Sequence, residues 1–170
     1  MQDEPVLGSE SDTPLFPETS DQAIVEQIRA LVAEEPFAEL CTQGEGQPYG
    51  SVVAYAFEHD LGSFVFATPK ATRKFRLLSN CDRVALVVDN RGKFPGDLMK
   101  VGAVTITGRA QQVEPGPTYD RWARLLTARH PYLQSFVQSP STALFQVKAV
   151  RFLHVTRFQE VRQWLPASDG

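Results

Sequence analysis

The stretch FVFATPKATRKFRLLSNCDRVALVV, residues 64–88, decides the fold because it joins two apolar strands through one short basic helix. The first strand covers Ser63–Ala67, with Phe64 and Phe66 on one face, and the second covers residues 83–89. Such short apolar runs, bounded by turn residues, are typical of a β-rich core with some helix. The Thr-Pro pair between them predicts a helix over residues 69–79 with the proline at its first position.

The start of this helix carries a concentration of groups that bind anions. Thr72 has a hydroxyl, Arg73 a planar guanidinium group and Lys74 an ammonium group, and all three lie beside the main-chain N–H groups of a helix start. This pattern is typical of a phosphate site. A solvated basic helix face has the same spacing, and from spacing alone that simpler interpretation is favoured.

Composition predicts one globular domain behind an acidic tail. The 170 residues are 42% hydrophobic, which is enough for a single core. Residues 1–18 are rich in Asp, Glu, Ser, Thr and Pro, and we expect a mobile, disordered tail there and a folded domain over 19–166.

The charge distribution excludes some classes of partner. The first 21 residues hold six acids and no base, so the remainder has 14 acids against 17 bases. That excess is too small for a nucleic-acid groove but suits a pocket for a small anion. No apolar run is long enough to span a membrane, and Cys41 and Cys81 lack metal-ligand spacing, so we expect a soluble cytoplasmic protein with free thiols and no metal site.

The remaining pattern predicts a mostly antiparallel set of strands with a few helices. An amphipathic helix runs from a Ser20 cap to Pro36, and another covers Tyr119–Arg129. Further strands are expected over Phe37–Thr42, Pro48–Glu58, Lys100–Val113, Ala143–Val155 and Gln159–Leu165. Apolar residues on both faces of the second of these strands indicate a small closed barrel that also packs against a partner.

Several catalytic and nucleotide motifs are missing from the chain. There is no GxGxxG, no GxxxxGK[ST], no HExxH and no nucleophile elbow. The sequence therefore favours chemistry performed by a bound cofactor.

Six segments occur in an order that resembles a known family. They are PYGSVVAYAF, GSFVFATPKATRKFRLLSN, VALVVDN, VTITGRAQQVE, RHPYLQSF and ALFQVKAVRFLHVTRFQEVRQW. The first four resemble the pyridoxamine 5'-phosphate oxidase-like family of FMN-binding split β-barrels. The last two resemble the branch of that family that is related to heme-utilisation proteins.

This resemblance implies a mainly β (α+β) split β-barrel of six to seven mostly antiparallel strands with peripheral helices. It also implies a homodimer that binds FMN at the subunit interface and acts as an oxidoreductase on an unknown small-molecule substrate. No side chain is assigned a catalytic role. The cofactor-binding residues that it implies are Ser51, Val52, Val53, Ala54 and Tyr55 along the ring, Ala67 and Thr68 beside it, and Thr72, Arg73 and Lys74 at the phosphate.

Two other functions stay open on the same barrel: a heme-binding or heme-utilisation protein, and a cofactor-free dimeric binding module. Gly102-Ala103 stands where the family carries an Arg-Gln pair that contacts flavin. Among the histidines, His59 is expected in solvent, His130 at a helix end and His154 hydrogen-bonded in the core or an interface. Tyr55 and Trp164 are aromatic residues that either stack on a flavin or pack in the core.

Overall fold

The computed structural model describes residues 22–156 and 160–167. The predicted tail at 1–18 and the Ser20 cap lie outside these ranges. The described elements, in chain order, are α1 Gln22–Glu34, β1 Phe37–Gly44, β2 Gln47–Phe57, β3 Ser63–Pro69, α2 Arg73–Asn80, β4 Arg83–Asp89, β5 Ala103–Gln112, α3 Pro117–Arg129, α4 Gln134–Gln138, β6 Thr142–Thr156 and β7 Glu160–Trp164.

The strands form a closed antiparallel barrel. Neighbours follow the order β3-β2-β1-β4-β5-β6, and a further ladder between β3 and β6 closes the ring. Strand β7 extends β6 beyond the barrel through pairs such as Phe152 with Trp164. The predicted fold class, a split barrel of six to seven antiparallel strands with peripheral helices, is confirmed.

The core lies inside the barrel and beneath α1. Inward residues of each strand alternate with outward ones, as the period of two requires. The amphipathic pattern predicted for the first helix is confirmed, since its apolar stripe enters this core through Ile24, Ile28, Leu31 and Val32. A second cluster lies outside the barrel, where Trp122 and Leu126 of α3 pack against Val65 and Leu144.

The predicted start of α2 is wrong. Strand β3 continues through Pro69, which pairs with Thr142, and the amide of Lys70 donates to the carbonyl of Ser141 at 2.8 Å. The helix begins only at Arg73, with Thr72 as its N-cap. Pairing with a distant strand therefore outweighs the local preference of proline for a first helical position.

Two smaller differences concern the segments around β5 and α3. Lys100 is not in a strand, because Leu98–Lys100 form a 3₁₀ turn whose Met99 amide donates to Asp97, and β5 begins at Ala103. A short helix, Gln134–Gln138, follows α3 where the sequence predicts none. Its five residues are too few to give a readable helical pattern.

Candidate functional site

The wall of the closed barrel is split at one end, where β2 and β3 separate. Their ladder has only three pairs, Tyr55 with Phe66, Ala56 with Val65, and Phe57 with Phe64. Beyond it β2 stays with β1, and β3 stays with β6 as far as Pro69. The facing edges of residues 51–54 and 67–69 therefore lack strand pairing with each other, and we call this opening the β2–β3 slot.

The end of β3 turns away from β2 because its last residues bond elsewhere. Thr68 is fully buried, and its hydroxyl lies 3.2 Å from the hydroxyl of Thr72. Pro69 has no N–H to donate to a neighbouring strand. These two residues lead the chain into α2 at the mouth of the slot.

Side chains of β2 alternate between the barrel interior and the outer face. Val53 and Tyr55 point into the core with Ser51, whereas Val52 and Ala54 lie on the outer face. Val52 is 72% exposed. Any ligand in the slot would meet Val52 and Ala54 through their side chains and the other strand residues mainly through their backbone.

Tyr55 is a core residue. Its hydroxyl lies 2.8 Å from the carbonyl oxygen of Val32 and 2.9 Å from that of Glu35, and its ring packs beneath the guanidinium of Arg129 at 4.6 Å. Burial raises the pKa of Tyr55 to about 12. Its ring therefore supports α1 and packs in the core. Trp164 is likewise packed, 4.8 Å from the ring of Phe152.

The hydroxyl of Ser51 is a buried polar group without a partner. Its Oγ is closed off from solvent and makes no hydrogen bond with the rest of the described chain. Leaving a buried hydroxyl unpaired is unfavourable. Because Ser51 points to the barrel interior and its Oγ is closed off from solvent, a ligand in the slot would meet this residue through its backbone.

Thr72 fixes the start of α2. Its hydroxyl donates to the carbonyl of Pro69 at 2.9 Å and accepts from the amide of Phe75 at 3.2 Å. Because its one proton goes to Pro69, Thr68 is the donor in the contact between the two hydroxyls. Thr72 therefore has no proton left for a ligand and serves the site by capping the helix.

The backbone N–H groups of Arg73 and Lys74, at this helix start, have no hydrogen-bond acceptor among the described residues. The first hydrogen bonds of the helix are made by the amides of Phe75 and Arg76, both to Thr72. Neither preceding amide finds an acceptor among the described residues. Both N–H groups therefore remain to bind an anion.

The two cations at this helix start lack acidic partners. Within the described ranges neither Arg73 nor Lys74 makes an ion pair, and neither does the neighbouring Arg76. Lys74 is half-buried, and burial lowers its pKa. A partly desolvated ammonium without a counter-charge gains from binding an anion.

Tyr49 is a site residue that the sequence did not reveal. The guanidinium carbon of Arg73 lies 5.2 Å from the centroid of its ring, which links the start of α2 to β2. Its side could have been predicted, because Tyr49 lies two residues before Ser51 and side chains two apart in a strand share one face. The pairing with Arg73 could not be read, since the two residues lie on different elements.

The histidines and cysteines lie apart from the slot. His59 is exposed, as predicted. His130 is buried at the end of α3, and its Nε2 lies 2.9 Å from the carbonyl oxygen of Tyr55. His154 is buried, but the predicted hydrogen bond is absent among the described residues. Cys41 and Cys81 are free thiols, and burial raises the pKa of Cys41, which disfavours a reactive thiolate.

Two further observations bear on other classes of function. Residues 22–156 and 160–167 contain no group of three His, Cys, Asp or Glu side chains that could hold a metal ion. No helix in these ranges has the length and apolar character needed to cross a bilayer. Gly102, at the altered family position, donates its amide to Oδ1 of Asn90 at 2.8 Å and lines a cavity beside α1.

Solved structures with the same fold include heme-binding and flavin-related proteins. The heme binding protein from Mycobacterium smegmatis aligns with a TM-score of 0.76 at 17% identity, over 87% of this chain and 60% of that one. The chain thus spans less than two thirds of that protein. A protein from Clostridium acetobutylicum related to general stress protein 26, of the pyridoxinephosphate oxidase family, aligns with a TM-score of 0.67 at 16% identity, over 85% and 96% of the two chains.

An FAD-binding protein from Mesorhizobium loti aligns with a TM-score of 0.61 at 16% identity, over 76% of this chain and 89% of that one. At these identities the likeness establishes the fold alone. No curated protein sequence matches the chain. The family model described as pyridoxamine 5'-phosphate oxidase matches residues 24–156, which include every described strand of the barrel, and the chain therefore belongs to the pyridoxamine 5'-phosphate oxidase family.

Proposed function

We propose that the protein is an FMN-binding flavoprotein that acts as an oxidoreductase on a small molecule. The observation that carries this proposal is the pair of cations at the mouth of the β2–β3 slot. Arg73 and Lys74 have no acidic partner in the described chain, and their own amides are unpaired. This combination suits a phosphate dianion.

Different residues in and beside the slot would bind the phosphate and the ring of such a cofactor. Arg73 and Lys74 would bind the phosphate, with Thr72 holding the helix start in place. The edges of residues 51–54 and 67–68 would meet the ring, largely through backbone N–H and C=O groups that the short β2–β3 ladder leaves without strand pairing between these edges. Bound FMN supplies a ring that accepts and gives electrons, while the protein supplies position and electrostatics.

No side chain of the slot is needed as an acid or a base. The groups that would lie near the ring edge are main-chain N–H and C=O groups, the residues Ser51 and Thr68, and apolar side chains. Such groups favour one charge state of a bound ring over another and so influence its reduction potential.

A homodimer is the second part of the proposal. Val52 is 72% exposed and Phe37 is 50% exposed, both on the outer face of the sheet. Val52 lies opposite Glu39, which lies opposite Val87 in the next strand. Exposed apolar side chains beside an open slot are expected where a second copy completes a binding site.

A charge introduced on this face tests the dimer. Val52→Glu adds a carboxylate on an exposed side chain and leaves the core unchanged. Sedimentation should show a dimer for the wild type and a monomer for this variant. A monomeric wild type would remove the dimer from the proposal, although binding of FMN by a single chain could still be measured.

Fluorescence titration with FMN tests the cofactor. Free FMN is fluorescent, and burial of its ring in the slot should quench it. Arg73→Gln and Lys74→Gln should each weaken binding by about tenfold or more, because each removes a charge-assisted contact. Arg76→Gln is the matched control, since it removes an equal charge from an exposed position on the same helix. Equal losses in all three variants, or no binding by the wild type, would reject the proposal.

A heme-handling role is the second candidate. It is supported by the heme-binding neighbour and by His154, a buried imidazole without a hydrogen bond in the described chain. His130 offers less, because its Nε2 contacts the carbonyl oxygen of Tyr55. Titration with hemin distinguishes this candidate: it expects a Soret band that is lost in His154→Leu. A dimer that binds neither FMN nor hemin would instead favour the cofactor-free binding module.

A further inference from the structure

A second cavity, of about 700 Å³, lies between α1, the segment that precedes β5 and the end of β6. Leu31, Phe94, Met99 and Val101 give it an apolar wall. Among the described residues, its lining includes none from the β2–β3 slot. Its volume falls in the range of pockets that hold small organic molecules.

His154 is a buried polar residue in this cavity whose side chain makes no hydrogen bond with the described residues. It lies on β6 opposite Val104, is only 4% exposed and lines the cavity. No described residue forms a hydrogen bond with its ring. Burial and the nearby charge of Arg162 lower its pKa, so the ring is neutral at physiological pH and offers one donor and one acceptor.

The charged groups on the cavity wall are already paired. The carboxylate of Glu34 accepts from the ammonium of Lys93, and the ammonium of Lys100 lies 3.2 Å from Oδ2 of Asp97. A charged ligand would therefore meet no unpaired counter-charge on this lining. An uncharged ligand would bury apolar surface without having to break either ion pair.

Gly102 contributes space to this site. It lines the cavity, and a Cβ added there would come no closer than 3.8 Å to the nearest atom, Nδ2 of Asn90. Packing therefore does not require glycine at this position. The lack of a side chain keeps that part of the wall open.

We propose that this cavity binds an uncharged, largely apolar small molecule with one hydrogen-bonding group directed at His154. The ligand class follows from the apolar wall, the paired charges and the buried imidazole that lacks a hydrogen bond within the described chain. The site goes beyond the flavin proposal and does not depend on it. An aromatic amine or a phenol of two or three rings is an example of the class.

Two fluorescent probes test the preference for an uncharged ligand. N-phenyl-1-naphthylamine has an aromatic body and one N–H donor, and 8-anilinonaphthalene-1-sulfonate has the same body with a negative charge. Titration of the full chain should give saturable binding of the neutral amine at one site, at least about fivefold tighter than that of the sulfonate. Added FMN should not displace the amine. Absence of binding, tighter binding of the sulfonate, or displacement by FMN would overturn the proposal.

Paired variants locate the site. Ala30→Trp places a large side chain on the exposed lining of the cavity and should abolish binding, whereas Ala33→Trp, on an exposed position of the same helix outside the lining, should not. His154→Leu keeps the volume and should weaken binding of the amine by about fivefold through loss of one hydrogen bond, while the exposed His59→Leu should have no effect. Equal behaviour within either pair, or displacement of the amine by hemin with a Soret band that depends on His154, would contradict the proposal.

Discussion

The guanidinium of Arg73 lies over the ring of Tyr49, with 5.2 Å between the guanidinium carbon and the ring centroid. This contact joins the start of α2 to β2, the two elements on either side of the slot mouth. It orients the cation without neutralising it, because an aromatic face attracts a cation but carries no net charge. Arg73 is thereby held in place while its charge stays available to an anion.

Replacement of Tyr49 should weaken FMN binding through Arg73. Tyr49→Ala removes the ring, and we expect affinity to fall by about three- to tenfold as Arg73 loses its fixed position. Tyr49→Phe keeps an aromatic face and should bind nearly as well as the wild type. In the Arg73→Gln background the alanine change should have no further effect, and an additive loss there would show that Tyr49 acts independently of Arg73.

Affinity for FMN should fall at alkaline pH earlier than for an ordinary lysine site. Burial lowers the pKa of Lys74, so its ammonium loses its proton below the ordinary value of 10.5. The phosphate is a dianion throughout the range above pH 7, so the fall in affinity as the pH rises from 7 toward 10.5 follows the protein cation. Lys74→Arg stays charged over this range and should flatten the profile. Parallel profiles for the two proteins would mean that Lys74 does not contact the phosphate.

Thr72→Ala should destabilise the protein by about 1 kcal/mol, because the amide of Phe75 loses its side-chain acceptor. Thr72→Ser keeps the hydroxyl and should retain most of that stability. Urea unfolding of the three proteins measures the difference. A Thr72→Ala variant as stable as the wild type would show that the cap contributes little.

The sequence predicted the barrel better than it predicted the details of the site. Strand β4 was predicted with its observed bounds, Arg83–Asp89, because its pattern of apolar residues is local in the sequence and turn residues bound the strand at its ends. The start of α2 was wrong because the pairing of Pro69 with Thr142, far along the chain, extends β3. Contacts between separate elements, such as that of Arg73 with Tyr49, leave no local periodic signal.

His154 shows the same limit for a buried polar group. Its position in an apolar strand predicted burial, which is confirmed at 4% exposure. No hydrogen bond to its ring is found among the described residues, because the available partners depend on how α1 and the segment before β5 pack against β6. That packing leaves a cavity beside the ring where a core histidine would ordinarily find a donor or an acceptor.

His154 should also make stability depend on pH. Because its folded pKa lies below its ordinary value of 6.5, the unfolded chain takes up a proton that the folded chain does not. The contribution of the neutral ring is fully present above pH 6.5 and is lost as pH falls toward the folded pKa. His154→Leu should therefore reduce the loss of unfolding free energy between pH 7 and 5, by at most about 1.4 kcal/mol per pH unit. Identical slopes for the two proteins would contradict this assignment.

Backbone hydrogen exchange, followed with and without FMN, tests the location of the cofactor most directly. The amides of Arg73 and Lys74 lack acceptors in the described chain and should exchange rapidly in the free protein. Saturating FMN should slow exchange at these two amides and along residues 51–54 and 67–68, while the β5–β6 ladder stays unchanged. Binding of FMN without protection at these positions, or with protection confined to another part of the barrel, would contradict the assignment of the β2–β3 slot as the flavin site.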